Sequence, residues 1–141
     1  MYQLFTDGAC KANGTSQSKG GWAYYIERDD LHGFSMEQTG SEERTTNNRM
    51  ELIAVIQGLR SIPLGAKVEI ITDSRYVITV SATKNPKIAN PDLVAELKRE
   101  LTRLDYSFTW VRGHSGNRGN EKVDKLASMA ARGKIGFMAV K

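Results

Sequence analysis

Two stretches of this chain end alike. Tyr2-Gln3-Leu4-Phe5-Thr6-Asp7 and Val68-Glu69-Ile70-Ile71-Thr72-Asp73 are short β-prone runs that close on Thr-Asp. Both acids are therefore expected at the carboxyl ends of strands. In open sheets with helical crossovers, ligands bind in the crevice beyond those ends, so parallel neighbours bring Asp7 and Asp73 side by side. Such a pair repels itself unless it is protonated or metal-bound.

Two further acids sit near helix starts. Glu51 follows Thr45-Thr46-Asn47-Asn48, which opens a helix with Leu52, Val55, Ile56 and Leu59 on one stripe and Pro63 and Gly65 as its stop. Asp124 lies in a helix expected to open near Asn120, with Val123, Leu126, Ala127 and Ala130 on its buried face. A carboxylate near a helix start can reach back toward strand ends, and four such acids suit an enzyme that holds two divalent cations. The competing reading of each is an ordinary one, a helix cap or a surface ion pair.

The remaining order is strand, loop, two strands, helix, strand, two helices, strand, loop and helix, which implies an α/β fold with a mixed sheet. The Gly-, Ser- and Asn-rich stretch from Gly8 to Gly21 reads as a long loop. A hairpin is expected to pair Trp22–Arg28 with Leu31–Thr39, turning at Asp29-Asp30. Ser74 to about Thr83 reads as a short helix, and Leu93, Leu97, Leu101 and Leu104 mark an amphipathic one from about Asn90. The last strand is Tyr106–Val111, carrying Trp110.

With 141 residues and 40% hydrophobic content, the chain fits a single domain over residues 1–141 with one real core. Its apolar runs are too short to span a bilayer and its start shows no signal pattern, so a soluble cytoplasmic protein is expected. The lone cysteine, Cys10, excludes an internal disulfide and fits a reducing compartment; it reads as an ordinary loop thiol. A net charge of +4 permits a polyanionic partner without demanding one.

Five segments together resemble type 1 ribonuclease H: Phe5-Thr6-Asp7-Gly8-Ala9-Cys10, Arg44 through Leu52, Thr72-Asp73-Ser74-Arg75-Tyr76-Val77, Trp110-Val111-Arg112-Gly113-His114-Ser115-Gly116, and Asn120-Glu121-Lys122-Val123-Asp124. The resemblance implies a five-stranded mixed sheet flanked by about four helices. It also implies an endonuclease that hydrolyses the RNA strand of RNA/DNA hybrids, with 5′-phosphate and 3′-hydroxyl ends and little sequence preference. Asp7, Glu51, Asp73 and Asp124 are the implied ligands of two Mg2+ ions, with Mn2+ as a possible substitute. Magnesium takes oxygen ligands, and two ions roughly 4 Å apart serve both the attacking water and the leaving 3′ oxygen. Asp7 is expected to bridge, with Glu51 and Asp73 on one ion and Asp124 on the other.

By the same resemblance His114, set among Gly113, Ser115, Gly116 and Gly119, is a mobile loop histidine that moves protons or aids product release. His32, at the hairpin turn, reads as a solvated residue. Asn13, Asn47 and Asn48 match contacts to the hybrid's minor groove, where 2′-hydroxyls identify RNA. Arg44, Thr46 and Asn90 match a pocket that grips a DNA phosphate. Arg75 stands where the family often has Gln, which moves its contact toward a phosphate, and Cys10 is expected to touch substrate through its backbone.

The chain departs from the best-known bacterial pattern in three ways. Too few residues separate Asp73 from His114 for the basic, Trp-rich protrusion that many members insert there; Lys84, Lys87, Lys98, Arg99 and Arg103 either compensate or form a solvated helix face with Glu96 and Glu100. The loop from Lys11 to Lys19 reads as long enough to reach over substrate. Ile135, Phe137, Met138 and Val140 make an apolar tail within residues 133–141, which adds a strand or packs on the core, or else meets a partner. Otherwise a monomer is expected. The alternatives are a reverse-transcriptase-type or transposase-type domain of the same architecture, or a hybrid-binding module with weak or no activity. The Asn-rich segment argues against a transposase core, and an uncompensated acid cluster argues against pure binding because it repels phosphates.

Overall fold

The computed structural model describes residues 1–85 and 87–133. In chain order it contains β1 (Tyr2–Lys11), β2 (Lys19–Arg28), β3 (Ser35–Glu43), α1 (Asn47–Arg60), β4 (Lys67–Thr72), α2 (Arg75–Ala82), α3 (Pro91–Leu101), β5 (Asp105–Trp110) and α4 (Arg118–Ala131). The five strands form one sheet in the order β3-β2-β1-β4-β5. β1 runs antiparallel to β2 and parallel to β4, and β4 is parallel to β5, so the expected mixed sheet with flanking helices is what forms.

Alternation along β1 divides the core in two. Leu4 faces the larger cluster with Met50, Leu52, Val55, Ile56 and Leu59 of α1, Val77 of α2 and Leu97 of α3. Its neighbour Phe5 faces the smaller one with Ala23, Ile71, and Val123 and Ala127 of α4. Helices thus cover both faces of the central strand, which explains why Leu4, Leu52 and Ile70 are wholly buried.

Several expected boundaries move. β1 does not stop at Asp7; it continues antiparallel to β2 as far as Lys11 opposite Lys19. The stretch from Gly8 to Gly21 is therefore mostly strand, and Cys10 is a strand residue rather than a loop thiol. Its glycines serve close packing: a Cβ on Gly21 would lie 2.3 Å from the Ala127 carbonyl oxygen, and one on Gly20 would lie 2.6 Å from the Met50 side chain. Only residues 12–18 turn, with Ala12 at φ 52° and Gly14 at φ 83°. This turn is anchored to α1, because the Asn47 amide donates to Asn13 Oδ1 at 3.0 Å.

β3 starts at Ser35, not at Leu31. The Arg28 guanidinium forks onto Asp30 at 3.0 and 2.8 Å and lies 5.0 Å from the centre of the Tyr2 ring and 5.9 Å from that of Phe34, which folds residues 29–34 into a turn that includes His32. α4 opens at Arg118 rather than near Asn120, since Asn117 caps it by accepting the Asn120 amide at 2.9 Å.

Between α2 and α3 the described residues form no helix, in keeping with an absent protrusion. Basic side chains in and just after α3 are partly committed to the fold. Arg103 pairs with Glu100 at 2.7 Å and donates to the Leu59 carbonyl, and the Lys98 ammonium donates to the Thr83 carbonyl. The apolar tail residues Ile135, Phe137, Met138 and Val140 lie outside the described residues.

Candidate active site

Asp7 sits inside β1, two residues past the last pair that β1 makes with β4, Phe5 opposite Ile71. β4 ends at Thr72, so Asp73 emerges just beside it. Two hydrogen bonds hold that exit: the Val111 amide donates to the Thr72 carbonyl at 3.0 Å, and the Ser74 amide to the Thr72 side-chain Oγ1 at 3.0 Å. Ser74 then caps α2 by accepting the Val77 amide. Glu51 comes from the second turn of α1, which Thr46 caps by accepting the Arg49 amide at 3.2 Å. The two elements meet at Gly8, whose missing side chain admits the α1 backbone.

Oxygens of Asp7, Glu51 and Asp73 all lie within 4.8 Å of one another. Asp7 and Glu51 are 4% and 5% exposed. Burial, then the negative charges of Asp73 and Asp124, push the Asp7 carboxyl from its ordinary range to about 8. Burial, then Asp7 and Asp73, raise Glu51 well above the usual range as well. Glu51 Oε1 is buried with no hydrogen-bond partner, a costly arrangement unless a cation or proton meets it.

Asp124 adds a fourth carboxylate from the second turn of α4, close enough to Asp7 for its charge to raise the Asp7 carboxyl. It stands apart from the Asp7-Glu51-Asp73 trio, and its outer neighbour is His114, with Nδ1 to Oδ2 3.8 Å. His114 is 82% exposed and adopts φ 59°, in a turn between β5 and α4. Asp7 is thus the central acid, with Glu51 and Asp73 to one side and Asp124 with His114 to the other.

The remaining expected residues fall in two groups. Asn13, Thr46 and Asn47 cluster at the start of α1 through the two cap bonds already described, with Asn48 exposed beside them. Cys10 Sγ lies 3.6 Å from the Thr45 carbonyl at the same helix start. Arg44 is exposed at φ 53°, its amide held by the Ser18 carbonyl, and it lines a concavity with Ser16, Gln17 and Lys19. Asn90 is also left-handed, at φ 59°. Its amide nitrogen donates to the Tyr76 hydroxyl at 2.9 Å.

Sequence reasoning missed Arg49, which joins these groups. Its backbone amide is bound by Thr46, while its guanidinium donates to Asn90 Oδ1 at 3.2 Å and to both Asp92 oxygens at 3.2 and 3.0 Å. It also missed the two residues that seat Asp73. The Trp110 indole donates to the Asp73 carbonyl at 3.1 Å, and a Cβ on Gly113 would lie 2.9 Å from Asp73 Oδ2. Nothing in a one-dimensional pattern signals these, since a glycine beside His114 implies only a permissive backbone.

A family model described as RNase H matches residues 1–132. The chain belongs to the RNase H family. Curated relatives agree: "Ribonuclease H" of Pseudomonas fluorescens strain Pf-5 is 38% identical over 140 residues, covering 89% of each chain. "Ribonuclease HI" of Pseudomonas putida strain KT2440 is 39% identical over 140 residues, covering 89% of this chain and 90% of its own. Among solved structures, LC9-RNase H1, a type 1 RNase H with the type 2 active-site motif, superimposes with a TM-score of 0.77 at 30% identity, over 94% of this chain and 72% of that one. This RNase H-family chain is an endoribonuclease, and membership supports hydrolysis of the RNA strand in RNA/DNA hybrids. The family is metal-dependent, and an acid cluster with an orphaned buried oxygen is the donor set a hard cation takes.

Proposed function

We propose that Asp7, Glu51, Asp73 and Asp124 hold two Mg2+ ions, with Mn2+ as a working substitute, and that the chain cuts RNA paired to DNA by in-line attack of water. The observation that carries this reading is the crowding of buried carboxylates around Asp7, with oxygens within 4.8 Å and Glu51 Oε1 unpartnered. Bound there, divalent ions supply a water of lowered pKa and neutralise charge at the attacked phosphate and the leaving oxygen. The P–O3′ bond breaks, so the products carry 5′-phosphate and 3′-hydroxyl ends.

The chain's own groups do the positioning. Asp7, Glu51, Asp73 and Asp124 would hold the ions, with Asp7 the acid that neighbours all the others. His114, 3.8 Å from Asp124 on an exposed turn, accepts or returns a proton at its imidazole and swings clear as product leaves. Asn13, Asn47 and Asn48 read 2′-hydroxyls in the minor groove, with Cys10 contributing backbone contact. Arg44, Thr46 and Asn90 grip a phosphate of the DNA strand, Arg49 holding Thr46 and Asn90 in register. Phosphate and 2′-hydroxyl contacts carry little base information, so sequence preference is weak. We further read residues 1–141 as one catalytic domain, working as a monomer in the cytoplasm, where its single free thiol at Cys10 is stable. Among the described residues no helix is long and apolar enough to cross a membrane.

The test is to incubate the protein with end-labelled RNA/DNA hybrid, duplex RNA, duplex DNA and single-stranded RNA, each with magnesium and with chelator. Metal-dependent cleavage of the hybrid's RNA strand alone is expected. Tight hybrid binding without cleavage would establish a binding module instead, and cleavage of duplex DNA would move the chain to the transposase class.

A further inference from the structure

Arg75 is the first residue of α2, two positions after Asp73. Its guanidinium lies over the Trp110 ring, 4.4 Å from the centroid. Trp110, 41% exposed at the end of β5, in turn donates its indole N–H to the Asp73 carbonyl. Arginine, tryptophan and the candidate metal ligand thus form one continuous unit, with the cation outermost.

That arginine is otherwise unspent. Among the described residues its guanidinium makes no hydrogen bond and no ion pair, unlike Arg28, Arg49, Arg60 and Arg103, each of which is held by an acid. Attraction to the ring face holds the guanidinium in place and leaves its N–H groups free to donate, and its planar fork matches the oxygens of a phosphate. The ring face that Arg75 covers is closed to a stacking base, which favours a backbone ligand over a base. The neighbouring acids supply the need: Asp7, Glu51, Asp73 and Asp124 repel the strand they are to cut, and a fixed cation beside Asp73 offsets that repulsion.

We propose that Arg75, held over the Trp110 ring, clamps the phosphodiester next to the cleaved bond on the RNA strand, and that Trp110 is a positioning residue tying this clamp to Asp73. The inference rests on the proposed hybrid cleavage and gives its substrate grip a definite atom set.

The experiment measures hybrid affinity by fluorescence anisotropy across a salt series with magnesium, in an Asp7→Asn background so that substrate stays intact. Arg75→Ala is expected to weaken binding about tenfold and to flatten the slope of log Kd against log salt by about 0.7 to 0.9, the share of one phosphate. Arg75→Lys keeps the slope with intermediate affinity, because it retains the charge and loses the fork. Trp110→Phe keeps a stacking face and the slope. A single uncharged methylphosphonate beside the cleaved bond reproduces the Arg75→Ala loss, and combining the two adds nothing further. An unchanged affinity and slope in Arg75→Ala, with the wild-type chain cleaving hybrid normally, overturns the clamp alone. A wild-type chain that neither binds nor cleaves hybrid overturns the clamp together with the function beneath it.

Discussion

The backbone of Glu51 rests on Gly8: a Cβ at Gly8 would lie 2.4 Å from the Glu51 nitrogen and 2.6 Å from the Met50 carbonyl carbon. Neither neighbour is the far end of a flexible side chain, so neither gives way cheaply. Gly8→Ala must separate α1 from β1 and carry Glu51 away from Asp7. The expected result is a loss of about 1–3 kcal/mol or more in stability, typical of overpacking. Cleavage falls by more than the unfolded fraction explains. Thermal melts paired with hybrid cleavage at a temperature where the variant stays folded check this; retained activity would show that Glu51 does not depend on that contact.

Asp7→Asn keeps the shape of the central acid and removes its charge. Cleavage is expected to vanish while hybrid affinity holds or rises, since one negative charge leaves a phosphate site. Gel shifts and single-turnover cleavage decide it. Loss of binding with cleavage retained would sink the assignment of Asp7.

The raised Asp7 carboxyl sets a pH dependence of metal-free stability. Its pKa is about 8 in the fold against an ordinary 3.8, so between those values the folded state holds more protons than the unfolded one. Stability then falls as pH rises through that window and levels off above about 8. In chelator the melting temperature should drop from pH 5 to pH 8, by an amount on the order of a few kcal/mol in stability. The Asp7→Asn variant should show a shallower drop. Magnesium should restore the loss at pH 8, because a ligand that binds only the folded state stabilises it. A melting temperature that climbs with pH in chelator would contradict the crowding of acids.

His114 is 82% exposed, so its replacement separates chemistry from folding. His114→Ala is expected to leave the melting temperature unchanged and to lower kcat about tenfold to a hundredfold, at or below the low end for a positioned acid–base group. KM should change little. An equal loss with Asp124→Ala in a double-mutant cycle would show that the two act as a unit across their 3.8 Å separation.

Thr46→Ala removes the cap of α1, which costs about 1 kcal/mol. The same change frees the Arg49 amide that bonds Thr46 Oγ1. Hybrid KM should rise beyond what stability explains, because Arg49 joins Thr46 to Asn90. Steady-state kinetics over a salt series measure it; an unaltered KM would remove Thr46 from the substrate surface.

Where local chemistry fixes local structure, the residues alone were enough. Leu52, Val55, Ile56 and Leu59 at helical spacing, the Thr-Asp runs of β1 and β4, and the cap residues Thr46 and Ser74 all act within a few positions of themselves. The acids at Asp7 and Asp73 were legible for the same reason, because parallel strands with like endings converge. Strand lengths were not legible. Gly8, Gly20 and Gly21 read as loop glycines, yet they are strand positions where α1 and α4 press on the sheet, and that pressure exists only once the layers assemble.

The sequence by itself determined the fold class, the element order and the convergence of Asp7 and Asp73, because periodicity and turn chemistry are local. Only the tertiary structure decided how the acids divide around Asp7, that Arg49 spans Thr46 and Asn90, and that Arg75 lies on Trp110 above Asp73. Those are meetings of side chains distant along the chain. Sheet register and helix docking, rather than spacing in the sequence, set the distances between them.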